Sequence, residues 1–174
     1  MIYKVRIFLL FLVIPILCSC ATAVLQKSLM ERGFRNPDIN SLIANPAQYQ
    51  GQLFIFGGII ASTKVTADGS LLEGIYVPVD QYGYLENVPR QSKRFLASLR
   101  SGILDPVIYQ TGRLVTIAGT FLGSRPGKFE DLEYIYPLFQ IEDIYLWPKR
   151  PAVYYYYGPP PFYPGYPFYP PLYP

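Results

Sequence analysis

From Gln52 to Val65 the chain reads QLFIFGGIIASTKV, an apolar run rich in Ile and Phe with Gly57-Gly58 at its centre. Such residues fit a pleated, half-buried strand. Adjacent glycines inside a strand suggest a bulge or a sharp bend, as at a barrel corner. Asp68-Gly69 follows as a hairpin-turn signal between two apolar runs. The return strand is expected over Leu71 to Asp80, with Leu71, Ile75, Val77 and Val79 on one face and Glu73 interrupting that face near the turn. Pro78 makes it an edge strand or a bulged one. Leu114 to Leu122 alternates, with Val115, Ile117 and Phe121 on one side and Thr116, Ala118 and Thr120 on the other, which predicts a half-buried strand. Gly123 to Lys128, GSRPGK, is expected to be a loop or hairpin turn. Glu133 to Trp147 reads as one or two further strands, with Pro137 at a bulge or break.

Two segments echo one another. Asn45-Pro46-Ala47-Gln48-Tyr49-Gln50-Gly51 and Asp105-Pro106-Val107-Ile108-Tyr109-Gln110-Thr111-Gly112 each place a capping residue, then Pro, then a closing Gly. Each is followed by x-Leu-hydrophobic-x-hydrophobic-small-Gly, Gln52 to Gly58 and Arg113 to Gly119. One reading is local capping chemistry used twice. The other is two equivalent strand entries into one small curved barrel. Five or so bent strands with glycine corners and short helical turns point to an all-β, OB-like curved β-barrel.

The first twenty residues are of another kind. Lys4 and Arg6 form a short positive segment, and Ile7 to Cys18 is an uninterrupted apolar run. That is the length of a signal h-region; about 20 residues are needed to cross a bilayer comfortably. Leu17-Cys18-Ser19-Cys20 resembles the bacterial lipobox, in which an apolar residue and two small ones precede a lipid-accepting cysteine. The resemblance implies cleavage between Ser19 and Cys20, then a diacylglycerol thioether and an amide-linked acyl chain such as palmitate on Cys20. Two or more chains anchor stably, at roughly 0.8 kcal/mol per buried CH₂. An ordinary cleaved leader or an uncleaved apolar anchor is the plainer alternative. Ala21, where an Asp would favour retention at the inner membrane, points to the outer membrane.

Composition narrows the chemistry. There is no histidine, and the only cysteines are Cys18 and Cys20, so the rest of the chain holds no disulfide, thiolate nucleophile or thiolate metal site. No catalytic residue, cofactor or metal site is expected. Acidic residues gather at Glu130, Asp131 and Glu133 and at Glu142 and Asp143. An envelope hydrolase or carbohydrate-processing accessory would need two of them converging across a cleft; a solvated loop and strand edge is the blander account. A calcium site at Glu130, Asp131 and Glu133 lacks any EF-hand-like loop. GSRPGK lacks the ending of a phosphate loop. Arg90, Lys93, Arg94 and Arg100 make a modest basic cluster that could meet anionic lipid headgroups. Without Lys4 and Arg6 the net charge falls from +3 to +1, no footprint for nucleic acid.

Residues 22–39 are mixed, with Leu25, Leu29 and Met30 spaced to form one face of a short helix. At the other end, the 24 residues from Pro151 to Pro174 contain nine Pro, eight Tyr and no charge. So many positions lack an amide donor that neither a helix nor a central strand is expected, only disorder or polyproline II. Tyr154, Tyr155, Tyr156, Tyr157, Tyr163, Tyr166, Tyr169 and Tyr173 offer flat apolar faces with hydroxyls, suited to an envelope glycan, a protein partner or interfacial lipid.

From about Asn45 to Trp147 the chain resembles the Slp family of outer-membrane lipoproteins, named for starvation-inducible members. The matching fragments are Gly57-Gly58-Ile59-Ile60, Leu72-Glu73, Arg94-Phe95-Leu96, Leu104-Asp105-Pro106 with Tyr109, the run Gly112 to Gly119, Tyr134-Ile135-Tyr136-Pro137 and Leu146-Trp147. Family members often carry Gly where this chain has Lys93. The resemblance implies an outer-membrane lipoprotein, linked in some members to starvation or acid stress, and no known catalytic residues. The expected organisation is a lipoprotein signal peptide over 1–19, a lipidated N-terminus and tether over 20–44, an Slp-like barrel over 45–150 and the Tyr/Pro tail over 151–174. The expected role is a non-enzymatic, lipid-anchored envelope protein on the periplasmic side of the outer membrane.

Overall fold

The computed structural model describes residues 23–100 and 102–149. The described chain begins with α1 (Lys27–Arg32), β1 (Phe34–Arg35), α2 (Ile39–Ala44) and α3 (Pro46–Tyr49). It continues with β2 (Leu53–Thr66), β3 (Gly69–Val77), β4 (Arg94–Leu99), β5 (Leu114–Phe129) and β6 (Leu132–Leu146). The sheet order is β1-β2-β3-β4-β6-β5, and β5 pairs back onto β2, so five strands close a barrel. Among the five barrel strands every pairing is antiparallel except β4–β6, the parallel seam. The short β1 lies parallel to β2 at Phe54 and Ile55, on the edge that β3 takes over from Gly57 onward. Closure leaves no full-length free edge. This is the OB-like barrel that the strand pattern predicts.

The echo is the organising device of the barrel. β2 and β5 pair with Phe56 opposite Ile117, and these two residues hold equivalent places in the repeated pattern. The two segments are therefore related by a local two-fold axis through that pair. Gly51 donates to the Phe121 carbonyl and Phe121 to that of Gln52; at the other end Gly112 donates to Ile60 and Ile60 to Arg113. Gly51 (φ 82°) and Gly112 (φ 84°) occupy the left-handed region that makes both turns. Tyr49 and Tyr109, from the two turns, both pack against the core. The two turns thus serve as equivalent strand entries, but the side-chain cap forms only at Asp105, which accepts from the Val107 amide, and not at Asn45.

The core is aromatic. Phe56, Phe95, Phe121 and Phe139 are fully buried, with ring centroids 4.6 Å apart for Phe56–Phe139 and 5.0 Å for Phe56–Phe95. Ile39 and Leu42 of α2 and Leu104 of the β4–β5 connection enter the same cluster. A second cluster lies outside the barrel wall, where Leu25, Leu29 and Met30 cover Ile55, Val79 and Ala118. The expected short helix therefore forms, and it buries the outer face of β2 and β5.

Several local expectations are corrected. Gly57-Gly58 is not itself the bulge, which falls between Ile60 and Ser62. A Cβ on Gly57 would strike Leu85, and one on Gly58 would lie 2.8 Å from the Phe95 ring, so the pair exists to let large side chains close in from both faces. In β3 the inward set is Ser70, Leu72 and Gly74, out of phase with the expected Leu71, Ile75, Val77 and Val79. Gly74 carries no side chain because Phe95 of β4 fills the space over it, and of the expected face Val77 and Val79 are buried while Leu71 and Ile75 are only partly so. β3 ends at Val77, one residue before Pro78. GSRPGK is strand rather than loop: β5 runs on to Phe129, and the turn is Glu130-Asp131, with Glu130 at φ 53°. Pro126 is tolerated because β5 beyond Thr120 has β6 on one side and no strand on the other. β6 passes through Pro137 unbroken, and the nearby bulge is on β5, between Phe121 and Gly123. In β5 the face holding Val115, Ile117 and Phe121 points inward as expected, but Thr116 and Ala118 behind it are buried as well.

Candidate functional site

Burial of Thr116 leads to an aromatic face on the barrel wall. The Thr116 hydroxyl donates to the Gly83 carbonyl (2.9 Å) and accepts from the Trp147 indole N–H (3.0 Å). Gly83, at φ 89°, lies in a tight turn held by Asp80, whose carboxylate accepts from the Tyr82 and Tyr84 amides. On the same turn the Val24 amide donates to the Tyr82 carbonyl at 3.0 Å. Tyr84 stacks at a tilt 5.5 Å from Trp147, and Tyr145 meets Trp147 edge-on at 5.0 Å. Arg113 donates to the Trp147 carbonyl at 2.7 Å, fixing the end of β6. Tyr84, Leu85, Leu114, Trp147 and Pro148 line an open cleft of about 260 Å³. Tyr84 is 45% exposed and Tyr145 37%. Sequence reasoning marked Trp147 only within the Leu146-Trp147 fragment of the family resemblance and did not single out Tyr84 or Tyr145. The signal at the strand end is Tyr145-x-Trp147, a spacing of two that puts both rings on one side of an extended chain; Tyr84 comes from the turn at Gly83 and is placed there by the fold.

A second polar group ties the β5–β6 hairpin to the barrel. Glu73 and Arg94 form a half-buried ion pair at 2.8 Å. The Arg94 guanidinium lies 3.9 Å over the Phe129 ring. The Tyr136 hydroxyl donates to Glu73 and to the Lys128 carbonyl. Burial, then the Glu73 charge, holds the Tyr136 phenol above its usual range. The network is satisfied internally, and it removes Arg94 from the expected basic cluster. Arg94 and Arg100 also lie at opposite ends of β4, so that cluster does not assemble.

The acidic residues do not converge either. Glu130, Asp131 and Glu133 sit exposed at the hairpin tip, while Glu142 and Asp143 lie some ten positions further along β6, roughly 30 Å of strand. Glu142 accepts from Thr120, and Asp143 from the Gln26 amide. Among the described residues no three acidic side chains are grouped to hold a metal. Ser19, Cys20 and the eight tail tyrosines lie outside the described residues, which begin three positions after Cys20 and stop at Lys149.

Comparison with known proteins resolves the lineage. The model of the outer membrane lipoprotein Slp family matches residues 17–173. The chain belongs to the Slp family. Outer membrane protein Slp of Escherichia coli K12 is 33% identical over 126 residues, covering 70% of this chain and 66% of that protein. The uncharacterized lipoprotein YeaY of the same organism is 28% identical over 129 residues, with the same coverages. The chain thus spans just under two thirds of the length of these relatives. Among solved structures, mitochondrial single-stranded DNA binding protein Rim1 of S. cerevisiae shares 14% identity over 56% of this chain and 95% of that one, at a TM-score of 0.32, too slight a likeness to argue from.

As a member of the Slp family the chain is an envelope lipoprotein. The fragments that carry the Slp resemblance now have places. Gly58 and Phe95 interlock in the core, Glu73 pairs with Arg94, and Asp105 accepts from the Val107 amide at 2.8 Å to shape the second entry turn. These are fold-forming roles. Trp147 differs, since it closes the barrel wall with its N–H and leaves its ring beside exposed tyrosines.

Proposed function

We propose that this protein is held by acylated Cys20 on the periplasmic face of the outer membrane, where the barrel serves a structural or binding role in the envelope rather than a catalytic one. The observation that carries the reading is the lipobox-like Leu17-Cys18-Ser19-Cys20, which falls within the stretch matched by the Slp family model. The described chain is consistent with it: three residues after Cys20 the backbone is already fixed on the barrel wall, through Val24 and the buried Leu25. The dispersal of the carboxylates supports a binding or scaffolding role over hydrolysis. The Tyr/Pro tail, from Tyr154 to Tyr173, is the proposed contact to an envelope glycan or protein. A role under starvation or acid stress extends the reading by family membership.

The test is the mass of the mature protein from membrane fractions, comparing wild type with Cys20→Ala. Wild type should be shorter by residues 1–19 and carry acyl mass, and the variant should lose that mass and leave the membrane. Identical mass and fractionation of the two proteins would refute the anchor.

A further inference from the structure

Cys20, the proposed lipid site, stands four positions before Val24, which is fixed beside the aromatic face. Val24 is bonded to Tyr82, and a Cβ on the adjoining Gly83 would touch both the Val24 side chain, at 3.4 Å, and Thr116, at 3.6 Å. Thr116 in turn holds the Trp147 indole. Leu25, the next residue, is buried against the barrel, so there is no slack beyond Val24. Four residues of chain span at most about 14 Å. An acylated Cys20 therefore keeps this side of the barrel within about 14 Å of the lipid attachment point.

We propose that Tyr84, Tyr145 and Trp147 lie in the interfacial layer of the bilayer, seating the barrel against the membrane surface; the inference rests on acylation of Cys20. Tyr and Trp rings prefer that layer because each combines an apolar body with a polar handle. The Trp147 N–H is already taken by Thr116, so Trp147 offers apolar ring surface only, and the polar handles on this face are the hydroxyls of the exposed Tyr84 and Tyr145. The cleft beside it is open, and Leu85, Leu114 and Pro148 line it with apolar surface suited to an acyl segment. Charge around the face is mixed: Asp80 and Glu86 on the turn side, Arg113 and Lys149 on the strand side. The seating is therefore interfacial rather than electrostatic, and it should depend little on anionic lipid or salt.

Trp147 is the only tryptophan in the chain, so its fluorescence reports on this face alone. The experiment uses the acylated full chain reconstituted in phosphatidylethanolamine/phosphatidylglycerol vesicles, with the Cys20→Ala protein as the aqueous reference. Sedimentation reports the anchor, and quenching by lipids brominated near the headgroup reports the face. We expect co-sedimentation, a blue-shifted Trp147 emission and about twofold quenching. In the doubly substituted Tyr84→Ser, Tyr145→Ser protein the quenching should be weaker while sedimentation is unchanged. Co-sedimentation with unquenched, water-like emission would overturn the seating and leave the anchor standing. Absence of acyl mass from wild type would remove the anchor and the seating with it. If iodide reaches Trp147 in the Cys20→Ala protein only after deletion of 151–174, the tail occupies the cleft and the lipid assignment is wrong.

Discussion

Gly74 shows how much one hydrogen decides in this barrel. A Cβ there would collide with the Phe95 ring, at 2.7 Å from Cε1 and closer still to Cζ, and that ring is fully buried between Phe56 and Phe139. Gly74→Ala should destabilise the fold by about 1–3 kcal/mol, the cost of overpacking a close-fitting core. Thermal unfolding should register this as a Tm lower by roughly 4–10 °C. Adding Phe95→Leu should recover part of the loss, because the two residues share one space; an additive double variant would disprove the interlock. Tyr76 sets a limit at high pH. Burial, followed by the charges of Glu86 and Asp38, pushes its phenol from 10.0 up to about 12. The folded chain then holds a proton that the unfolded chain releases, so the contribution is complete below pH 10 and is lost as pH rises towards about 12. Allowing for solvent screening, that is on the order of 1 kcal/mol. Denaturant midpoints measured across this range should fall less in Tyr76→Phe than in wild type.

At the scale of elements, α2 depends on the residue just before it. Asp38 accepts from the Asn40 amide at 3.1 Å and from the Ser41 hydroxyl at 2.6 Å, and the Ser41 bond in particular draws its carboxyl below the usual range. α2 has only six residues and inserts Ile39 and Leu42 into the core, so it cannot stand on propensity alone. Asp38→Ala should cost about 1 kcal/mol in urea unfolding, whereas Asp38→Asn, which keeps the cap, should cost much less. Elements also mark where sequence reading runs out. Asp68-Gly69 announces its hairpin because the turn chemistry is local. GSRPGK carries the same kinds of residue and yet forms strand, because what matters for Pro126 is whether a neighbour needs its missing amide, and only the closed sheet supplies that answer.

For the molecule as a whole, the folded unit includes the segment before Asn45, since Leu25, Leu29, Met30, Ile39 and Leu42 are buried with the barrel, and the Tyr/Pro segment differs from it in composition. Deletion of 151–174 should leave Tm unchanged, because a segment with nine Pro in 24 residues is not expected to supply a helix or a central strand to the fold, while weakening retention in envelope fractions. Equal retention of the truncated and full-length proteins would remove the tail from the proposed function. What the sequence determined by itself is what short-range pattern encodes: a β-rich domain bent at glycines, two Pro-Gly strand entries, a short helix with one apolar face, and an apolar run ending on a cysteine. The pairing of β2 with β5 around Phe56 and Ile117, the phase of β3 and the burial of Thr116 were decided only by tertiary structure. Each depends on which ring from another strand fills the space beside a small residue, and that is a property of closure. The aromatic face is decided the same way, since Tyr84 and Trp147 are more than sixty residues apart in the chain and meet only when the turn at Gly83 folds onto Thr116.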